Sequence, residues 1–130
     1  MNHTVVTGGA GFIGSHLCEA FLAKGHRVTC VDNFCTGSAA NVKHLLADPN
    51  FTLLERDVLV PFDVPGPVHQ VLHFASPASP PAFDRLCLEI LRVNSLGTLN
   101  CLELARSHKA AFLVASTSEV YGDPERHPQS

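Results

Sequence analysis

No apolar run in this chain approaches the roughly 20 residues that a membrane-spanning helix needs, and no basic stretch followed by an apolar core marks a secretory signal near Met1. A membrane protein is not expected; a cytoplasmic-type protein is. Charge is scarce as well. Asp, Glu, Lys and Arg make up 16% of the 130 residues, and the net charge of −3 offers no cationic field for nucleic acid or an anionic membrane surface. The five cysteines (Cys18, Cys30, Cys35, Cys87 and Cys101) are odd in number and include no C-x-x-C. They read as small buried hydrophobes in a reducing compartment, with Cys35, in a loop, as the only candidate for a reactive thiol. There is no internal repeat or low-complexity segment. A zinc pattern is missing too: His69 and His73 are four apart, but on a strand and with no carboxylate partner, so no metal is expected and His73 reads as a hydrogen-bonded core histidine.

What is present is a globular composition, 45% apolar, in a chain long enough for one domain (residues 1–130) that buries roughly two thirds of its unfolded surface. Its organising stretch is Thr7-Gly8-Gly9-Ala10-Gly11-Phe12-Ile13-Gly14. Val5 and Val6 before it suit a buried strand; Ile13, Leu17 and Phe21 after it recur every fourth residue, as on one helix face. A strand therefore passes through a glycine turn into a helix, which aims unpaired backbone N–H groups and a positive dipole end at whatever lies in front. The spacing fits Gly9-x-Gly11-x-x-Gly14 or Gly8-x-x-Gly11-x-x-Gly14. Either places Gly11 where a pyrophosphate needs close backbone approach and Gly14 where helix must pack on strand. A tight turn without a ligand would look the same.

The first helix is expected over residues 11–24, stopped by Gly25. Residues 27–32 form a β-rich run ending in Asp32, about twenty residues past the glycines, where a Rossmann domain holds the adenosine ribose hydroxyls; a carboxylate there also favours NAD over NADP. The alternative is that Asp32 opens a turn at Asn33. Residues 33–38 read as a loop, 39–46 as a short helix and 51–54 as the third strand. Asp57 beyond it lies either on the edge of an adenine pocket or in an exposed loop. Residues 68–75 read as a central parallel strand, followed at its carboxyl end by a Ser/Pro-rich break, the rim where open sheets bind ligands. A long helix over 84–107 is expected to bury Leu88, Leu91, Ser95, Leu99 and Leu102. Its poor helix formers, Asn94, Gly97, Thr98 and Asn100, suggest close packing on the sheet or side chains turned towards the cleft. Residues 112–115 form the fifth strand and 120–124 a turn. The expected fold is an α/β, Rossmann-type doubly wound parallel sheet in the order 3-2-1-4-5.

With these motifs in view, the chain resembles the N-terminal part of the extended short-chain dehydrogenase/reductases, the family of nucleotide-sugar epimerases, dehydratases and decarboxylases. Thr7 to Leu17 and Asp32-Asn33-Phe34 belong to the whole group. Leu72-His73-Phe74-Ala75-Ser76-Pro77-Ala78-Ser79-Pro80, Gly97-Thr98-Leu99-Asn100 and the stretch Ala115-Ser116-Thr117-Ser118-Glu119-Val120-Tyr121-Gly122-Asp123-Pro124 are similar to its UDP-glucuronate decarboxylases.

The resemblance implies an NAD-dependent lyase acting on UDP-glucuronate. Bound NAD⁺ accepts a hydride from C4, the carboxyl group β to the new ketone leaves as CO₂, and the hydride returns to give UDP-xylose. It implies that Gly11, Phe12 and Ile13 hold the pyrophosphate and that Asp32, Asn33, Phe34, Thr36 and Gly37 surround the adenosine side; Gly8 and Gly14, from the glycine spacing, and Asp57, from its place beyond the third strand, complete the candidate cofactor residues. Phe74, Ser76 and Ala115 would line the nicotinamide side. Thr117 would bond the reacting hydroxyl, Glu119 would handle a proton near C5, and Arg92, Asn100 and Arg106 would bind the UDP-sugar. A homodimer is implied for the full-length protein. Arg92 stands where a lysine is expected, Val93 replaces a threonine, Glu103 a glycine and Asp63 an aromatic residue, and Ser38-Ala39-Ala40 lacks the usual basic residues. The Tyr-x-x-x-Lys base pair of the family does not occur in these residues: Tyr121 is followed four positions on by Glu125. The stretch alone is therefore expected to be inactive, the C-terminal substrate domain being absent. Two other readings stay open, a stand-alone dinucleotide-binding module and a nucleotide-sugar epimerase or 4,6-dehydratase, although Ser118 stands where a dehydratase prefers aspartate.

Overall fold

In a computed structural model, which describes residues 1–128, five parallel strands form one sheet in the order β3-β2-β1-β4-β5. The strands are β1 (His3–Thr7), β2 (Arg27–Asp32), β3 (Phe51–Glu55), β4 (Gln70–His73) and β5 (Ala111–Val114). The expected order is the observed one. β1 lies at the centre and is buried along its whole length. Alternation of side chains across it divides the core in two. Val5 joins Val31, Val71, Cys101 and Leu104 on one face; Val6 joins Cys18, Val28, Cys30 and Leu72 on the other. Both faces being covered, the polar side chains His3, Thr4, Thr7, Thr29 and His73 of these strands are buried along with the valines.

Helix α1 (Phe12–Ala23) follows the glycine turn, and Gly25 takes φ +76° just past its end, as the left-handed stop requires. It packs through Gly14, Ser15 and Cys18, with Leu17 and Phe21 half-buried, whereas Ile13 is 57% exposed and leaves the expected apolar face. Residues 39–46 are not one helix. They form two 3₁₀ turns, Ala39–Asn41 and Lys43–Ala47, because the Asn41 amide donates to the Ala10 carbonyl at 2.8 Å and pins the chain between them.

The long helix is also revised. It is divided into α2 (Pro80–Arg85), α3 (Cys87–Arg92), a π-helical turn (Val93–Gly97) and α4 (Thr98–His108). The expected buried stripe is on the wrong side: Leu88, Leu91, Leu99 and Leu102 are exposed, Leu91 at 66%, and so is Ser95. The face towards the protein is instead Val93, Gly97, Asn100, Cys101, Leu104 and Ala105. Close approach selects small residues there. A Cβ on Gly97 would lie 2.9 Å from a methyl of Val58, and Asn100 donates to the Val58 carbonyl at 2.8 Å. Packing is thus the reason for those two poor helix formers.

The cysteines divide as expected except at one position. Cys18, Cys30 and Cys101 are buried; Cys35 is exposed, but so is Cys87, so Cys35 is not the only accessible thiol. Burial pushes the Cys101 thiol up to about 12, and Cys30 is raised by its hydrogen bond with Cys18 and by burial. Among the described residues no three His, Cys, Asp or Glu side chains converge as metal ligands, and no helix is long and apolar enough to cross a membrane.

His73 is buried in a hydrogen-bonded position. Its Nδ1 lies 2.7 Å from Thr7 Oγ1 and its Nε2 3.1 Å from Thr98 Oγ1. Because the Thr98 hydroxyl donates to the Asn94 carbonyl at 3.1 Å, its oxygen accepts from Nε2–H, and Nδ1 accepts from Thr7. His3 is equally enclosed, with Nδ1 donating to the Pro67 carbonyl at 3.2 Å and Nε2 2.8 Å from Thr29 Oγ1. Burial lowers both pKa values below the ordinary 6.5, helped at His3 by Arg27. The unfolded chain therefore binds these protons first, and stability present above pH 6.5 is lost as pH falls through the folded values. The slope is at most about 1.4 kcal/mol per pH unit for each group. Thermal unfolding followed by circular dichroism should show a midpoint steady from pH 8 to 7 and falling towards pH 5; a midpoint unchanged at pH 5 would contradict this.

Candidate dinucleotide cleft

At the carboxyl ends of β1, β2, β3 and β4 lies an open cleft enclosing about 690 Å³, part of it continuous with solvent. Its floor is the glycine turn. Gly8 takes φ +70°, and a Cβ there would stand 2.7 Å from the Phe74 carbonyl, so only glycine lets β1 turn this close to β4. Gly11 donates its N–H to the Gly8 carbonyl at 3.1 Å, closing the turn, and serves as the N-cap of α1. A Cβ on Gly14 would lie 2.1 Å from the same carbonyl, so the third glycine packs the helix onto the turn. No side chain among the described residues caps α1. Gly11, the N-cap, lines the cleft, so the positive end of the α1 dipole and N–H groups without a side-chain cap lie beside it, the arrangement an anionic phosphate matches. Phe12 and Ile13, which open the helix, have exposed side chains, 80% for Phe12.

Asp32 closes β2 and is buried. Oδ2 accepts from the Ala10 N–H at 2.9 Å and Oδ1 from the Phe34 N–H at 2.8 Å. Asp32 thus opens the turn at Asn33, and it also lines the cleft, where its carboxylate keeps lone pairs beyond these two bonds. Ala10 is a hub. Its carbonyl also accepts from Ser38 N–H at 3.1 Å and from the Asn41 amide at 2.8 Å. The loop carrying Asn33, Thr36 and Gly37 is thereby tied to the glycine turn, and all three line the cleft; Phe34, at φ +57°, turns the chain without lining it.

Beyond β3, Asp57 is a lining residue whose Oδ1 accepts from Leu59 N–H at 2.9 Å and whose Oδ2 accepts from the Asn33 amide at 3.3 Å. Val58 follows it into the cleft, seated on Gly97 and Asn100. At the end of β4, Phe74 and Ser76 line the opposite wall, and Asn94 donates to Ser76 Oγ at 3.1 Å. The charged lining groups are Asp32, Asp57, Glu89 and Arg56.

Nine of the fourteen expected cofactor residues line this cleft: Gly8, Gly11, Asp32, Asn33, Thr36, Gly37, Asp57, Phe74 and Ser76. Phe12, Ile13 and Gly14, in the first turn of α1, are not among its lining residues. Ala115 lies past β5, exposed. Thr117 and Glu119 are brought together but outside the cleft lining, the Thr117 hydroxyl donating to the Glu119 carboxylate on an exposed 3₁₀ turn, Ser118–Tyr121. Of the expected sugar-nucleotide residues, Arg92 is exposed at the end of α3, Asn100 is buried against Val58, and Arg106 pairs with Glu103 at 2.7 Å on the surface of α4. Sequence reasoning missed Arg56, Val58 and Glu89 as lining residues, and Asn41 as an anchor. Arg56, adjoining Asp57 at a strand end, carried a readable signal; Asn41 and Glu89 did not.

The model of the NAD dependent epimerase/dehydratase family matches residues 4–130. UDP-glucuronic acid decarboxylase 1 of Xenopus tropicalis is 52% identical over 126 residues, covering 97% of this chain and 30% of that protein. UDP-glucuronic acid decarboxylase 2 of Arabidopsis thaliana is 49% identical over 125 residues, covering 96% and 28%. The crystal structure of UDP-glucose 4-epimerase from Bifidobacterium longum in complex with NAD⁺ and UDP superposes with a TM-score of 0.82 at 28% identity, covering 98% of this chain and 40% of that one. The chain thus spans about 30% of the length of the curated relatives it matches.

Proposed function

The chain belongs to the NAD dependent epimerase/dehydratase family, whose cofactor is NAD, and from that premise we propose that it is the NAD-binding part of a UDP-glucuronate decarboxylase. The reading is supported above all by one observation: Gly8, Gly11, Asp32, Asp57, Phe74 and Ser76 meet in a single cleft at the strand ends. It is supported further by relatives near 50% identity that carry the decarboxylase name. In the proposed reaction UDP-glucuronate gives UDP-xylose and CO₂ by way of a 4-keto sugar. NAD⁺, when bound, supplies reversible hydride acceptance at C4.

The uncapped start of α1 would hold the pyrophosphate, and Asp32 the adenosine ribose through its remaining lone pairs. The Thr117 hydroxyl would orient the sugar hydroxyl, and the Glu119 carboxylate would handle a proton near C5. Their mutual hydrogen bond keeps that carboxylate beside the hydroxyl. Arg92, Asn100 and Arg106 would serve the UDP-sugar, Asn100 by positioning Val58. These residues contain no Tyr-x-x-x-Lys, so we propose that they bind cofactor without turnover and that the longer protein carries the base. A homodimer of that protein is supported by the outward leucines Leu88, Leu91, Leu99 and Leu102.

Titration calorimetry of the 130-residue chain with NAD⁺ should give saturable one-to-one binding; no binding would sink the cofactor role. For the longer protein, CO₂ release from UDP-glucuronate is expected. Recovery of UDP-galacturonate instead would assign epimerisation, the activity named for several structural neighbours.

A further inference from the structure

We propose that Arg56 forms the cationic wall of the adenine subsite, stacking its guanidinium plane on the base. The proposal rests on the cleft being an NAD site and goes beyond it by assigning a specific residue to base recognition. Among the cleft's lining residues Arg56 is the one cation, set against the carboxylates of Asp32, Asp57 and Glu89. Its place is fixed from two sides. The Arg56 backbone N–H donates to the Asp32 carbonyl at 3.1 Å, and its Nη1 donates to the Glu55 carbonyl at 3.0 Å, folding the guanidinium back over the end of β3.

That position selects the ligand group. β3 lies two strands from β1 in the sheet order, so its end is about 10 Å from the glycine turn at the usual strand spacing of roughly 4.8 Å. The pyrophosphate at the start of α1 is served by backbone N–H groups; what extends over β2 and β3 is the adenosine end of the dinucleotide. Residues 38–40, Ser-Ala-Ala, bring no other cation to that end. A planar, weakly hydrated guanidinium there offers a flat face to a purine, and its anchorage at Glu55 means little side-chain freedom is lost on stacking. Asp57, next in the chain and held by Leu59 and Asn33, forms the edge of the same pocket.

The test is calorimetry with NAD⁺ and NADP⁺ on the wild-type chain and on Arg56→Ala, Arg56→Lys and Arg56→Tyr, each first checked by thermal unfolding. Because Arg56 is exposed, the variants should melt with wild type. Arg56→Ala should weaken NAD⁺ about tenfold, Arg56→Tyr should restore most of the loss through its flat ring, and Arg56→Lys should not. The loss should change little between low and moderate salt. Affinity for NAD⁺ within twofold of wild type in Arg56→Ala overturns the proposal. So does full rescue by lysine, or a loss larger for NADP⁺ than for NAD⁺, either of which would make Arg56 a phosphate ligand. If the wild-type chain binds no NAD⁺, the underlying reading falls; if it binds and only the variant pattern fails, the Arg56 assignment alone falls.

Discussion

Asp32→Ala should weaken NAD⁺ binding by about 100-fold and lower stability by roughly 2–4 kcal/mol, both from the loss of one side chain. The structural part follows from the two backbone donors it satisfies. Ala10 N–H and Phe34 N–H point at its oxygens from 2.9 and 2.8 Å, and in the alanine variant both lose a charged acceptor inside a buried corner. The binding part follows from the remaining lone pairs, which are the cleft's acceptors for ribose hydroxyls. Asp32→Asn is the informative companion. It keeps the shape but turns one oxygen into an N–H₂ that must face one of those two donors, so it should lose most of the same affinity. Calorimetry for NAD⁺ and thermal melts measure the two losses separately. An alanine variant binding within threefold of wild type would remove Asp32 from the cofactor site.

Gly14→Ala should destabilise the chain by about 3 kcal/mol or more and lower its melting midpoint by roughly 10 °C. The added methyl would lie 2.1 Å from the Gly8 carbonyl oxygen, against backbone that is itself locked by the Gly11 N–H and by the approach to Phe74. Relief requires α1 to lift from the turn, which also carries its N-terminal N–H groups away from the cleft. Gly25→Ala is the control. It has nothing within 4 Å of its added methyl and suffers only the strain of φ +76°, about 1 kcal/mol. Equal melting of the two variants would show that the contact at Gly14 is relaxed at little cost.

Much of this architecture is legible in the amino-acid order because its determinants are local. Val5 and Val6, the glycine turn, and Asp32 at a strand end each combine a steric need with a neighbour a few positions away, and they led to the strand order and to most of the cleft. The long helix failed for a physical reason. Bulk alone does not mark burial here, because the face laid against Val58 and the sheet must come close: Gly97, Asn100, Cys101 and Ala105 are buried beside Leu104, while Leu88, Leu91, Leu99 and Leu102 are exposed. Residues 39–46 have helical composition, but Asn41 is committed to Ala10, thirty-one positions earlier, and no periodicity reports such a bond. Arg56 and Glu89 reach the cleft from different elements, a convergence that only the packed sheet and helices create.

The Ala10 peptide carries one further consequence. Its N–H is held by Asp32 and its carbonyl by Ser38 and Asn41, so the loop that would embrace the adenosine is ordered by the fold itself. Binding free energy is then not consumed in arranging that loop, and association should proceed at rates set by diffusion and docking, without a slow conformational phase. The pocket is pre-organised by its own backbone, with Ala10, a residue of no polar chemistry, as the keystone.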